Sequence, residues 1–283
     1  MTTTTSRAGR HAAESGTEGG RRGLLGVLEQ MWLIPLVLVA WELGARQGDS
    51  IYFPPPTTIV THMYELWFSG PASHLFLTEE AVDNLPPSVG RLLAGWAIAG
   101  VIGVGLGIAL GRSKALSGYI DPILEFARAI PPPALIPLFI VLFKLGTQMQ
   151  LATIVYGVIW PILVNTVDGA RHVDRVHADT AQVFGLGRRQ RLFRIILPAA
   201  APKIFAGLRL SLSLAVILMV VSELVGATDG LGYLILFKQQ SFDLAGMWGA
   251  MVLLSILGFV LNASFLFVER RVLSWHRRAQ QTT

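Results

Sequence analysis

Residues 179–207 read "DTAQVFGLGRRQRLFRIILPAAAPKIFAG". Four arginines, a lysine, two prolines and a pair of glycines at a short break (Gly185 and Gly187) interrupt a chain that is otherwise strongly apolar around them. In a soluble domain this would be an ordinary basic loop. Its flanks change that reading. Residues 149–167 before it and 204–225 after it are each apolar enough, over about 20 residues, to cross a bilayer as a helix.

The rest of the chain has the same character. Of its 283 residues 52% are hydrophobic and 14% are charged, whereas soluble domains carry about 25% charged residues. The charges are also unevenly placed: residues 92–110 ("LLAGWAIAGVIGVGLGIAL") and 247–268 ("MWGAMVLLSILGFVLNASFLFV") contain none. Six spans fit the pattern, at 24–45, 89–110, 123–143, 149–167, 204–225 and 247–268. The expectation is an all-α polytopic membrane protein of about six transmembrane helices. Pro131, Pro132, Pro133 and Pro137 interrupt the third span, which predicts a kinked or broken segment whose freed carbonyls neighbouring helices must satisfy. Gly100, Gly103 and Gly107 in the second span predict a close helix–helix approach. The loop at 47–88 contains "YFPPPTTIVTHMYELWF", suited to a short interfacial helix.

Orientation follows from arginine and lysine. With the N-terminus inside, one side collects Arg7, Arg10, Arg21, Arg22, Arg112 and Lys114, then the cluster from Arg171 to Lys203, then Arg270, Arg271, Arg277 and Arg278. The other side keeps Arg46, Arg91, Lys144 and Lys238. Under the positive-inside rule both termini and residues 170–203 are cytoplasmic. The net charge of +5 thus reports topology and does not call for nucleic acid. Residues 1–23 have the composition of a disordered cytoplasmic tail, 24–272 form the membrane domain, and 273–283 a second cytoplasmic tail. The apolar run from Leu24 continues into a full span and reads as a retained anchor.

Several chemistries are disfavoured. There is no cysteine, hence no disulfide, thiolate metal site or cysteine nucleophile, and no histidine pair has the spacing of a helical metal site. No G-x-x-x-x-G-K-[ST] motif occurs, and no Gly-Lys pair at all. Without a phosphate cradle the chain is not expected to hydrolyse ATP or to bind a cofactor.

The opening stretch can then be read by spacing. Asp179-Thr180-Ala181, three residues, Gly185, nine residues, and Ile195-x-Leu197-Pro198 follow one another. This resembles the EAA loop of bacterial ABC importer permeases, E-A-A, three residues, G, nine residues, I-x-L-P. Ala181, Gly185, Ile195, Leu197 and Pro198 match in identity, while Asp179 and Thr180 stand for the usual Glu and first Ala. Local physics suits the role. Gly185 fits a left-handed helix C-cap, "RRQRLFRIIL" presents arginines on one side with Leu192, Ile195 and Ile196 toward the membrane, and Pro198 discourages continuation of that piece. "ARAIPPPALIPLFIVLFKLG", "PILVNTVDGARHVD", "SELVGATDGLGYLI" and "ERRVLSWHRR" are similar to segments of the nitrate/sulfonate/taurine permeases, within the binding-protein-dependent inner-membrane component superfamily.

The resemblance implies a type I ABC importer permease in the bacterial inner membrane. It implies two separate ABC ATPase subunits, which bind ATP and magnesium and grip the 179–198 knob. It also implies an extracytoplasmic solute-binding protein, a second permease copy or paralogue, and a small anionic solute of the nitrate, sulfonate or taurine class. Three residues inside spans are candidates for the pathway or gate: Arg128, Pro132 and Glu223. Arg128 follows Glu125 by three residues, so the two can instead pair on a helix face. Glu223 can equally be an interfacial carboxylate held by a backbone amide or a lysine. Rival readings are a stand-alone secondary transporter or channel, which inverted repeats would support, and an intramembrane enzyme, which would need clustered catalytic groups. Neither signature is visible in the sequence.

Overall fold

Where the sequence turns apolar it turns helical, and the ends of the helices fall on capping residues and prolines. The structure, a computed structural model, describes residues 32–48, 51–74, 76–173 and 184–274, with no strand among them. The chain divides into two compact units, residues 1–61 and 62–283. In the first, α1 (Leu33–Gly48) has no buried residue. Its Glu42 accepts a hydrogen bond from Arg46 at 2.6 Å and from the Thr57 hydroxyl at 2.7 Å. Residues 24–31 of the first expected span lie outside the described residues, and α1 alone, at 16 residues, is shorter than the ~20 needed to cross. The interfacial helix expected after it is α2 (Pro56–Phe68).

The second unit holds α3 (Glu79–Arg112), α4 (Lys114–Arg128), α5 (Ile136–Phe143), α6 (Thr147–Arg171), α7 (Arg188–Arg191), α8 (Leu197–Glu223), α9 (Leu231–Gln240) and α10 (Leu244–Val272). Among the described residues four helical stretches are long and apolar enough to span a membrane; a helix pair, Ala115–Arg128 and Pro132–Phe143, reaches that apolar length only together and is bent by 85° at its break. Local chemistry sets the ends. The Thr78 hydroxyl accepts from the Ala81 amide at 3.2 Å to start α3, Ser113 caps α4 through the Leu116 amide at 3.2 Å, and Asp243 caps α10 through the Gly246 amide at 2.9 Å.

The core is a sandwich of α3, α6 and α8. Leu92 and Ala99 meet Ile154, Val158 and Ile162, which meet Leu212, Ala215 and Leu218. Glycine lets the helices approach. A Cβ at Gly95 would lie 2.7 Å from Ile154, at Gly103 3.0 Å from Ile162, at Gly107 2.5 Å from Thr166 and at Gly111 2.7 Å from Ala170. The spacing expected from Gly103 and Gly107 is therefore a packing seam, extended by Gly95 and Gly111 along the length of α3. Ser211 also belongs to packing, accepting from the Trp96 indole at 2.9 Å. A smaller core of Trp67, Ala81, Leu231, Leu234, Ile235 and Ala250 closes the end of the bundle around α9. The opposite end carries Arg171, Arg188, Arg189, Arg191 and Lys203, and is called the basic end below.

Candidate functional site

The sequence candidates fall at three places. The first is the segment with EAA-like spacing, whose described part lies at the basic end. Asp179, Thr180 and Ala181 lie outside the described residues. Gly185 is described, with φ +66° and no atom within 4 Å of where a Cβ would stand. Among the described residues nothing crowds the position, so the left-handed backbone is what selects glycine there. The Gly187 amide donates to the Gln190 side-chain oxygen at 3.1 Å and opens α7.

Pro198 departs from expectation. It does not end the helix; Arg188–Glu223 is one continuous stretch of 36 residues. The reason is a single π-helical turn, Leu192–Ile196, in which the Leu197 amide reaches back to the Leu192 carbonyl. Widening the turn makes room for a proline ring that would otherwise strike the preceding carbonyls. Leu192, Ile195, Ile196, Leu197 and Pro198 are half-buried while Phe193 and Arg194 are exposed, so the amphipathic face survives. The basic segment is a rigid extension of a membrane span.

The second place is the opposite end, where Glu223 closes α8. Its carboxylate is 1% exposed and is surrounded by donors: the Ser88 hydroxyl at 2.8 and 2.9 Å, the Arg91 guanidinium at 2.7 Å and the Gly232 amide at 2.9 Å. Arg91, 6% exposed, also pairs with Asp229. Ser88 in turn accepts from the Leu231 amide at 2.7 Å, and the Asn84 side-chain oxygen accepts from the Gly230 amide at 3.0 Å. Three orphan amides at the start of α9 are thus satisfied by α3 and α8. A Cβ at Gly230, where φ is +110°, would stand 2.6 Å from the Glu223 carboxylate, so only glycine passes there. Glu223 is thus held by a backbone amide, that of Gly232, and by an arginine. Arg91, placed by the sequence among the charges on the far side, is instead buried. Asn84, Ser88 and Arg91 were legible: spaced four and three apart, they form a polar stripe on one face of an apolar helix. Nearby, burial pulls the Lys238 ammonium down, but Glu80 at 3.0 Å and Asp243 at 3.3 Å outweigh it and hold its pKa above the ordinary lysine value.

The third place is the broken span. α4 ends at Arg128, and its Ala127 carbonyl accepts from the Ile130 amide at 3.2 Å and from the Tyr156 hydroxyl of α6 at 2.6 Å, which ties the break to α6. Pro132 packs on α6, 3.0 Å from where a Gly157 Cβ would stand. Arg128 is half-exposed and lies 3.9 Å from Glu125, so the expected helix-face pair is loose and beyond hydrogen-bond reach. Arg128 lines a cleft with Leu124 and Trp160. Glu223 and Arg128 therefore belong to separate environments, and they are not one site.

With this geometry in view, similarity assigns the chain. Residues 101–274 match the model of the binding-protein-dependent transport system inner membrane component. The chain belongs to this family. The permease is 32% identical over 246 residues to a putative aliphatic sulfonates transport permease protein of Bacillus subtilis, covering 86% of each chain. It is 29% identical to the taurine transport system permease protein of Escherichia coli, covering 88% of this chain and 89% of that one. It is also 29% identical to the nitrate import permease protein of Synechocystis, covering 84% and 86%. Among solved structures, an inward-facing conformation of the MetNI methionine ABC transporter aligns with a TM-score of 0.59 at 19% identity, over 67% of this permease and 94% of that chain. That likeness shows the fold, a type I importer permease. The permease is accordingly an ABC-transporter membrane subunit, with the helical bundle, the basic extension and the broken span all inside the matched region or adjoining it.

Proposed function

We propose that this permease is the transmembrane subunit of an ATP-driven importer that receives a small anionic solute of the sulfonate, taurine or nitrate class from an external solute-binding protein. The observation that carries the reading is the near full-length similarity to permeases whose names specify those solutes. In this reading two ATPase subunits bind ATP and magnesium and engage residues 179–198, the basic end is cytoplasmic, and a second permease copy or a paralogue completes the pathway. A continuous 36-residue helix from Arg188 to Glu223 supports mechanical coupling. A push on its basic end is carried to the opposite end through a helix with no flexible joint. Alternating access then consists of bundles rocking about the packed α3–α6–α8 core.

Deletion and re-expression test this. Cells lacking the chain should lose growth on an alkanesulfonate or on taurine as sole sulfur source, or on nitrate as sole nitrogen source, and re-expression should restore it. Unchanged uptake of all three solutes in the deletion strain would sink the anion reading.

A further inference from the structure

Along α6, from Trp160 to His172, runs a cleft of about 250 Å³ whose other wall is α4, with Leu124 and Arg128. Trp160 stands near the middle of the 25-residue α6. Twelve residues of α-helix advance ~18 Å, so the cleft leads from mid-depth of the bundle to its basic end. An arginine at such depth is costly against hydrocarbon and faces a water-filled cavity or protein.

The charges lining the cleft are not equally engaged. Asp121 is held by Arg171 at 2.9 Å, and Asp168 by Lys203 at 2.8 Å and His172 at 2.9 Å. Arg128 has Glu125 at 3.9 Å, and that carboxylate is 69% exposed. A guanidinium offers five donors in a planar fork, and a loose carboxylate beyond hydrogen-bond range leaves them available. Among the described residues the buried Trp160 indole N–H has no hydrogen-bond partner, although buried donors are ordinarily paired. Arg128 and Trp160 are both lining residues of this cleft.

We propose that this cleft is a transit binding site for the oxyanion head of a small solute (a sulfonate, nitrate or carboxylate). Arg128 is its charged donor, Trp160 Nε1 its neutral donor, and Glu125 an internal stand-in that the arriving anion displaces. The charge-assisted bond from Arg128 supplies most of the affinity, while the indole N–H fixes orientation. Glu125 keeps the affinity low enough for release toward the basic end. The site rests on the anion-permease reading above.

The test uses the purified full-length chain in lipid nanodiscs, with radiolabelled methanesulfonate as the probe and unlabelled nitrate and taurine as competitors. Saturable, competable binding is expected. Arg128→Gln should weaken it by at least about ten-fold, the loss of one charge-assisted bond, and Arg128→Lys should recover part of that. Trp160→Phe, which keeps the ring and removes the N–H, should weaken binding by a smaller factor. Glu125→Gln should do the reverse and tighten it several-fold, an effect that damage to the fold would not produce. Absence of competable binding in the wild-type chain, or equal weakening by Glu125→Gln and Arg128→Gln, overturns the site. Uptake separates the two readings: anion uptake that depends on the chain yet is unaffected by Arg128→Gln refutes the site and keeps the permease reading. Uptake that never depends on the chain refutes the permease reading itself.

Discussion

Glu223 and Arg91 show what a buried charge requires in order to persist. Both are buried, and each is surrounded by partners: Ser88 and Gly232 for the carboxylate, Asp229 for the guanidinium. Removing one member deprives the other of its fully buried opposite charge, a loss of up to about 3–5 kcal/mol in buried pairs, whereas replacing both by apolar side chains is often far milder. Glu223→Ala should therefore destabilise the chain by roughly that amount. Arg91→Met combined with Glu223→Leu should be clearly less damaging than the two single effects summed. Thermal unfolding in detergent of the wild type, Arg91→Met, Glu223→Leu and the double variant measures this; additive losses would mean the two residues act independently.

At the scale of elements, the π-helical turn at Leu192–Ile196 decides how the basic segment is presented. One extra residue in a helical turn rotates everything before it relative to the span behind it. Gly185, three residues ahead of α7, takes a left-handed backbone conformation in which an L-residue would be strained by roughly 1–2 kcal/mol. Pro198→Ala removes the ring that the wide turn accommodates and restores a donor. The expected outcome is a regular helix through 192–198, with Arg188–Arg194 turned to a new face. Membrane insertion and thermal stability should stay near wild type, while co-purification of the ATPase subunits and uptake should fall by about ten-fold if that contact supplies ~1.4 kcal/mol. Wild-type co-purification and uptake by Pro198→Ala would show that the orientation of this segment does not matter.

At the scale of the whole molecule, the prediction concerns sidedness. The chain has no cysteine, so a single cysteine placed at Gln190 is a clean probe of the basic end. An impermeant maleimide should leave it unmodified in intact cells and label it in inverted vesicles, because the arginine and lysine excess lies on that side. Labelling from outside the intact cell would invert the topology and with it the direction of coupling proposed above.

Composition and periodicity were sufficient to determine the all-α class, four of the six expected long apolar helices, the helix after the triple proline at 54–56, and the break within residues 123–143. These are local quantities: hydropathy over about 20 residues, caps and prolines are written in consecutive positions. The glycine seam of α3 was half legible, because Gly103 and Gly107 are four apart, while Gly95 and Gly111 acquire meaning only from Ile154 and Ala170 opposite them. Continuity through Pro198 could not be read locally, since a proline signals a stop unless the turn before it widens. The partner of Glu223 was also out of reach. Arg91 lies 132 residues away in sequence, and nothing short of packing α3 against α8 and α9 brings them together. The chain alone specified which segments enter the membrane; the tertiary structure decided which of its few charges are buried in pairs and which, like Arg128, are left facing a cleft.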